Sequence, residues 1–200
     1  MNKFFKSKFL SDPQNIIAVS VTIISLCALI VSIMQMNLLR EERELMREHA
    51  RASVWPHLEL MPEQSFNKDH TLKSFRLKLT NTGVGPAIIT DVLISWNDSI
   101  AHNWWELFEL MKVSDSIERG INNSYFNKRV MKIGESVNIL DFDNNIPLAN
   151  AFVEKINNKE NNIHLEIFYK SIYNDRWKYF QGKSVKISDY KSLPKDKQFH

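Results

Sequence analysis

The side chains that could bind a metal or transfer a proton are scattered along this sequence. We find no His-x-x-x-His pair, no carboxylate–histidine spacing typical of a metal site and no Gly-x-Ser-x-Gly nucleophile elbow. The histidines are His49, His57, His70, His102, His164 and His200. We therefore expect no catalytic residue, no metal and no cofactor, and we expect that the protein is not an enzyme.

Two segments contain clustered oxygens or glycines. Asp141-Phe-Asp-Asn-Asn145 is similar to part of a calcium loop but lacks the glycine and the closing glutamate of an EF-hand, so we interpret it as a polar surface turn. The stretch from Asn81 to Pro86 precedes a predicted strand and lacks the Lys-Ser or Lys-Thr of a phosphate loop. We interpret Gly83, Gly85 and Pro86 as a structural turn in which the glycines can adopt a positive φ.

Four cations occupy alternating positions on two predicted strands, namely Arg76, Lys78, Arg176 and Lys178. Alternation places each pair on one face, where the two cations could bind an anionic ligand. Cations on solvated strand faces are also common without any ligand. From Ala52 onward the chain has 19 Lys or Arg against 18 Asp or Glu, so we expect no binding to a nucleic-acid duplex.

The longest uncharged run extends from Ile16 to Met34. Its 19 residues contain no charge and no proline, and at about 1.5 Å per residue they match the ~30 Å hydrocarbon core of a bilayer. We predict a basic tail at residues 1–15, a transmembrane helix at 16–34 and a helical stalk at 35–52. Because the sole cysteine, Cys27, lies inside the run, a disulfide within the chain is excluded.

Small residues repeat along one face of this predicted span. Small side chains let membrane helices approach closely, so we expect association into a homo-oligomer, although chance placement would give the same pattern. The residues of this face, extended into the stalk, are Ala18, Thr22, Ser25, Ser32, Leu38 and Leu45. Positive charge on the two sides of the span is nearly balanced, and the glutamates of the stalk offset its arginines. We therefore predict an uncleaved anchor in the bacterial inner membrane, with a periplasmic domain favoured over a cytoplasmic one.

After residue 52 the hydrophobic period changes from helical to two, which predicts a β-rich domain at 53–188 followed by a flexible tail at 189–200. We expect residues 74–80 and 87–96 to pair as a hairpin across the glycine-containing turn. Further strands are predicted at residues 129–133, 135–142, 164–170, 176–180 and 184–188, and a short helix at 149–158. The predicted fold is mainly β, a β-sandwich or partly open barrel with one or two short helices.

Residues 103–113 form an amphipathic segment. Trp104, Leu107, Phe108 and Met111 follow helical spacing, so the helix is expected to cover an open end of the core. The alternative is that Trp104, Trp105 and Phe108 dock a partner protein or the bilayer interface.

Several motifs occur together in this chain: Arg51-Ala-Ser-Val-Trp-Pro56, the Asn-Thr-Gly-Val-Gly-Pro-Ala turn, and Tyr169-Lys-Ser171 followed by Asp175-Arg-Trp177. With the single N-terminal span, they resemble a group of uncharacterised bacterial membrane-anchored proteins with a C-terminal β-domain. The similarity covers most of residues 38–180 and implies a membrane location, but it carries no activity. Many members have cysteines around the Tyr-x-Ser segment, where this chain has none.

Two classes of function are consistent with these features. The first is a non-catalytic, membrane-tethered binding or sensor module, which oligomerises through its span and stalk and binds an unknown protein or a small anionic ligand. The alternative is a membrane effector in phage defence, whose cytosolic β-domain binds an anionic second messenger such as a cyclic oligonucleotide and triggers membrane disruption. The two classes require opposite topologies.

Overall fold

The computed structural model describes residues 13–113, 120–142, 145–158 and 163–200. It divides into two compact units, Met1–Ala50 and Arg51–His200. Most of the predicted basic tail, and residues 143–144 of the predicted polar turn, lie outside the described residues.

Helix α1 (Pro13–Ala52) combines the predicted span and stalk in one continuous helix of 40 residues. It is roughly 60 Å long, about twice the thickness of a bilayer's hydrocarbon core. Its most apolar window has a mean hydropathy of 2.8 and no buried residue, so α1 is long and apolar enough to cross a membrane. The hydroxyls of Ser20, Thr22 and Ser25 donate to carbonyls four residues earlier at 2.8 Å, which satisfies these polar groups within the helix.

The second unit consists of nine short strands and two short α-helices among the described residues. In chain order they are β1 (Leu58–Phe66), β2 (Leu72–Asn81), β3 (Ala87–Trp96), β4 (Ser99–Ala101), α2 (Trp104–Leu110), β5 (Val130–Met131), β6 (Ser136–Asp141), α3 (Ile146–Asn157), β7 (Ile163–Lys170), β8 (Arg176–Phe180) and β9 (Lys183–Ile187). A 3₁₀ turn, Lys195–Lys197, follows.

These strands form two antiparallel sheets. The first sheet has the order β1-β2-β6, and the second has the order β4-β3-β7-β8-β9, with β5 also paired to β3. The arrangement is a β-sandwich-like domain with two short helices, which confirms the predicted fold class. The predicted strands at residues 164–170 and 176–180 correspond to β7 and β8, which pair as a hairpin with Lys170 opposite Arg176.

The predicted pairing of β2 with β3 is wrong. β2 pairs with β1 and β6 in the first sheet, whereas β3 lies in the second sheet. The stretch from Asn81 to Pro86 therefore carries the chain from one sheet to the other. Strands β1 and β4 were not predicted. β1 is mostly exposed beyond Leu60, so it shows little of the alternation that marks a half-buried strand.

An aromatic cluster forms much of the core between the first sheet and the two helices. Phe75 from β2 contacts Phe142 and Phe152 at centroid distances of 5.8 and 5.7 Å. Phe108 from α2 contacts the same two rings at 5.8 and 6.0 Å. Burial of these rings stabilises the packing of α3 against β2 and of α2 against the same aromatic cluster.

Side chains of the second sheet cover the open edge of β1. The Leu58 N–H donates to the Tyr169 hydroxyl at 3.5 Å, and Ser184 Oγ donates to the Leu58 carbonyl at 3.0 Å. These contacts satisfy backbone groups that have no neighbouring strand, and they join the two sheets along one side.

The C-terminal residues differ from the predicted flexible tail. Gln198 and Phe199 are buried, with exposed fractions of 4% and 2%. The Phe199 N–H donates to the Val92 carbonyl at 2.9 Å, and the His200 N–H donates to the His102 carbonyl at 2.7 Å. Phe199 follows a lysine-rich stretch that shows no helical or strand periodicity. Its contact with Val92 therefore could not be predicted from the sequence pattern.

Candidate functional site

An open groove of about 810 Å³ lies at one end of the second sheet. Its walls are residues 174–176, where the chain turns from β7 into β8, and residues 186–191, where it leaves β9. The pairing of Arg176 with Ile187 brings these two segments together. Asn174 has a φ of 65°, a conformation that asparagine tolerates, and this sharpens the turn.

The groove has more cations than acids. The cations in its lining are Arg176, Lys186 and Lys191, and the acids are Asp175 and Asp189. Lys186 Nζ lies 3.0 Å from Asp175 Oδ1 and 5.7 Å from the centre of the Trp177 ring. Because the groove is open to solvent and this ion pair is partly exposed, an anionic ligand can compete for Lys186 at low cost.

Tyr190 forms the inner wall of the groove and connects it to the core. Arg176 Nη1 donates to the Tyr190 carbonyl at 3.1 Å, and the guanidinium lies 5.7 Å from the centre of its ring. The Tyr190 ring also stacks on Phe168 with a centroid distance of 4.5 Å. Arg176 is therefore held in place before any ligand binds.

Asp91, behind this wall, is a buried carboxylate with an exposed fraction of 1%. It accepts hydrogen bonds from Tyr190 Oη at 2.6 Å, Ser192 Oγ at 3.0 Å and Gln198 Nε2 at 2.8 Å. An irregularity in β3 between Ile89 and Asp91 places Asp91 opposite Phe168. Burial raises the pKa of Tyr190 well above its usual range, and the hydrogen bond to Asp91 raises that pKa further. The Tyr190 hydroxyl therefore stays protonated and donates to Asp91.

The four predicted ligand-binding cations do not form one cluster. Arg76 and Lys78 lie on β2 in the first sheet, where they pair with Asp141 at 3.0 Å and with Glu63. Lys178, on β8 in the second sheet, pairs with Glu166 at 3.1 Å. Of the four, Arg176 lines the groove. The strand pattern identified cations that share a face but could not identify which sheet each strand would join.

The predicted docking surface of Trp104, Trp105 and Phe108 is mostly inside the core. Trp104 and Phe108 have exposed fractions of 4% and 0%, and Trp105 is half-buried against Phe108 at 5.7 Å. The helix therefore covers the core, as the first of the two interpretations predicted. Trp104 and Phe108 leave almost no apolar surface for a partner.

The glycine-containing turn from Asn81 to Pro86 packs closely against the backbone of residues 54–57. Asn81 Nδ2 donates to the carbonyls of Gly85, Met131 and Lys132 at 2.9–3.2 Å, and its Oδ1 accepts from the N–H groups of His57 and Gly83. Neither Gly83 nor Gly85 adopts a positive φ, so that expectation was wrong. A Cβ atom at either position would overlap the backbone of residues 54–57.

His102 and Glu106 form a pair that was not predicted from the sequence. His102 Nδ1 lies 2.8 Å from Glu106 Oε2, and His102 Nε2 lies 2.8 Å from the Asp196 carbonyl. Because His102 and Glu106 are four residues apart at the start of a predicted helix, their spacing could have indicated that the two side chains lie close together. The residues proposed for helix association, including Ala18 and Ser32, are exposed on α1.

The described part of the chain therefore comprises a mainly-β, two-sheet domain joined to one candidate membrane helix. No family model, no curated protein and no solved structure matches the chain. The resemblance to bacterial membrane-anchored proteins stays a prediction.

Proposed function

We propose that the protein is a non-catalytic, membrane-tethered binding or sensor module. In this proposal α1 anchors the chain in the bacterial inner membrane and associates with other copies, and the domain lies in the periplasm. The groove formed by residues 174–176 and 186–191 binds a small anionic ligand or an acidic segment of a partner protein. The observation that carries the proposal is the groove, because it combines open space with an excess of cations.

Arg176 is the central residue of the proposed ligand site. Its contacts with Tyr190 fix the guanidinium before binding, so little side-chain entropy is lost when an anion arrives. Its planar group can donate two parallel hydrogen bonds to a carboxylate or phosphate. Lys186 and Lys191 add charge at the rim and increase the dependence of binding on salt concentration.

The cation excess also favours the alternative function, a membrane effector in phage defence that responds to an anionic second messenger. That function requires a cytosolic domain, because a cytosolic nucleotide cannot reach the periplasm. The two proposals share one site and differ in the side of the membrane on which the domain lies, so a measurement of topology separates them.

Titration of the full-length protein in detergent with pyrophosphate tests the groove. We expect binding that weakens as salt concentration rises, and a change in Trp177 fluorescence because Lys186 lies beside that ring. The double variant Arg176→Ala, Lys186→Ala should bind at least about ten-fold more weakly, equivalent to about 1.4 kcal/mol.

The matched control is Arg76→Ala, because Arg76 is a cation of the other sheet and pairs with Asp141. This variant should bind pyrophosphate as the wild type does. If the double variant binds as tightly as the wild type, the groove is not the anion site.

A further inference from the structure

The C-terminal residues occupy a gap along one edge of β3. That edge pairs with β5 at Ala87 and Ile88 and with β4 from Ile94 to Trp96. Between them, the Val92 carbonyl accepts the Phe199 N–H at 2.9 Å. Phe199 thus supplies a backbone hydrogen bond that a neighbouring strand would otherwise provide. Addition of an extended segment to a strand edge is a common form of peptide recognition.

Groups on both sides of the gap form hydrogen bonds with Phe199 and His200. Asn127 Nδ2, just before β5, donates to the Phe199 carbonyl at 2.6 Å. The His102 carbonyl, just after β4, accepts the His200 N–H at 2.7 Å. The Phe199 ring contacts Trp104 at 5.1 Å and Phe126 at 6.0 Å. We call this arrangement of Val92, His102, Trp104, Phe126 and Asn127 the β3-edge seat.

The residues that lead into the seat are mostly exposed. From Lys191 to Lys197 no residue is buried, and Leu193 alone is half-buried in this stretch. The segment is anchored around Asp91, at the Asp196 carbonyl, which lies 2.8 Å from His102 Nε2, and in the β3-edge seat. A segment with few buried contacts between its anchors can open locally without unfolding of the domain.

The fit of the segment in the seat is incomplete. Among the described residues, the buried side-chain oxygens without a hydrogen-bond partner are Asn127 Oδ1 and Gln198 Oε1. Asn127 belongs to the seat, and Gln198 belongs to the segment that fills it. An occupant that donates to Asn127 Oδ1 would satisfy that oxygen. Release of Gln198 would return its Oε1 to water and would give up its hydrogen bonds to Asp91 and to the Leu193 carbonyl.

We propose that the β3-edge seat is a binding site for an extended peptide that carries an aromatic residue, and that residues 198–200 occupy it as an internal ligand. A partner peptide of this chemistry displaces the chain's own segment. The aromatic ring gives affinity, and the backbone hydrogen bonds fix the direction of the peptide. This proposal goes beyond the function proposed above, since it requires neither the groove nor the membrane.

A labelled synthetic peptide with the sequence of residues 190–200 tests the proposal on full-length protein in detergent. We expect the Phe199→Ala protein to bind this peptide at least about ten-fold more tightly than the wild type does, because the wild-type seat is filled by a tethered competitor. A peptide in which Phe199 is replaced by alanine should bind at least about ten-fold more weakly. Ile172→Ala, an exposed residue outside the seat, is the matched protein control and should behave as wild type.

Hydrogen exchange on the wild type gives a second, independent test that does not require the variant to fold. The amides of Phe199 and His200 should exchange at least about ten-fold faster than those of the β3–β7 ladder, because the segment opens locally. Exchange of both at the rate of the ladder would make Phe199 an ordinary core residue and overturn the proposal. Equal binding of the two peptides to folded Phe199→Ala protein would also overturn it.

Discussion

His102 joins two parts of the domain that lie far apart in sequence. Both ring nitrogens face acceptors, the Glu106 carboxylate and the Asp196 carbonyl, and both can donate only when the imidazole is protonated. The hydrogen bond to the Asp196 carbonyl and then that to Glu106 raise the pKa of His102. Hydrogen bonding to the His102 backbone and side chain lowers the pKa of Glu106.

We predict a pH-dependent contribution of this pair to the free energy of unfolding. The contribution of His102 is complete below its ordinary pKa of 6.5 and is lost as the pH rises through the raised value. The contribution of Glu106 is present above its ordinary pKa of 4.5 and is lost as the pH falls through the lowered value. Urea unfolding of wild type and His102→Gln should show a stability difference that is largest between these limits and shrinks in alkali. A difference that stays constant across this range would contradict the prediction.

Gly85 is required by close backbone packing. A Cβ atom there would overlap the Val54 carbonyl, and Val54 belongs to a segment held by hydrogen bonds from Val84 and Gly85 to the Trp55 carbonyl. We expect Gly85→Ala to destabilise the domain by about 3 kcal/mol, since neither backbone can move independently. Denaturant unfolding measures the change.

The matched control is Gly120→Ala. A Cβ atom at Gly120 would meet nothing within 4 Å, and Gly120 does not have a positive φ. This variant should change stability by less than about 1 kcal/mol. Equal losses for the two variants would show that the contact with Val54 is not the cause.

At the scale of elements, α1 has an apolar surface without a partner among the described residues. Every residue from Ile16 to Met34 is exposed. Lipid can cover the part within a membrane, but Leu38 and Leu45, with exposed fractions of 57%, lie beyond the predicted span. Association with a second copy would bury them.

We predict that the small-residue face of α1 mediates this association. The triple variant Ala18→Leu, Ser25→Leu, Ser32→Leu should prevent close approach and raise the dissociation constant of the oligomer at least about ten-fold. Analytical ultracentrifugation in detergent measures the change. Ser20→Leu, Cys27→Leu, Met34→Leu lies about 200° around the helix and serves as the control. If both triple variants associate like wild type, the proposed face is incorrect.

At the scale of the whole molecule, topology decides which ligands can reach the groove. We expect a cysteine at exposed Lys68, in a Cys27→Ser background, to react with a membrane-impermeant thiol reagent in cells with a permeabilised outer membrane. The reciprocal control, a cysteine at Lys6, should react only after lysis. The opposite pattern would place the domain in the cytosol and favour the messenger-responsive effector.

Local features were determined by the sequence. The uncharged run from Ile16 to Met34 predicts a long apolar helix because each residue contributes separately to hydropathy. The alternation in β2 and β8 and the spacing of Trp104, Leu107 and Phe108 predict element type because each depends on near neighbours along the chain. The mainly-β class follows from the number of such segments.

Only the tertiary structure decided which segments meet. It placed Arg76 and Arg176 in different sheets, and it brought Tyr190 to Asp91 and Phe199 to β3. Gly85 was interpreted as a turn glycine that can adopt a positive φ, but glycine is needed there because the backbone of Val54 lies against it. Such contacts join residues up to about a hundred positions apart, and their stability comes from burial and hydrogen bonding that exist only once both partners are in place.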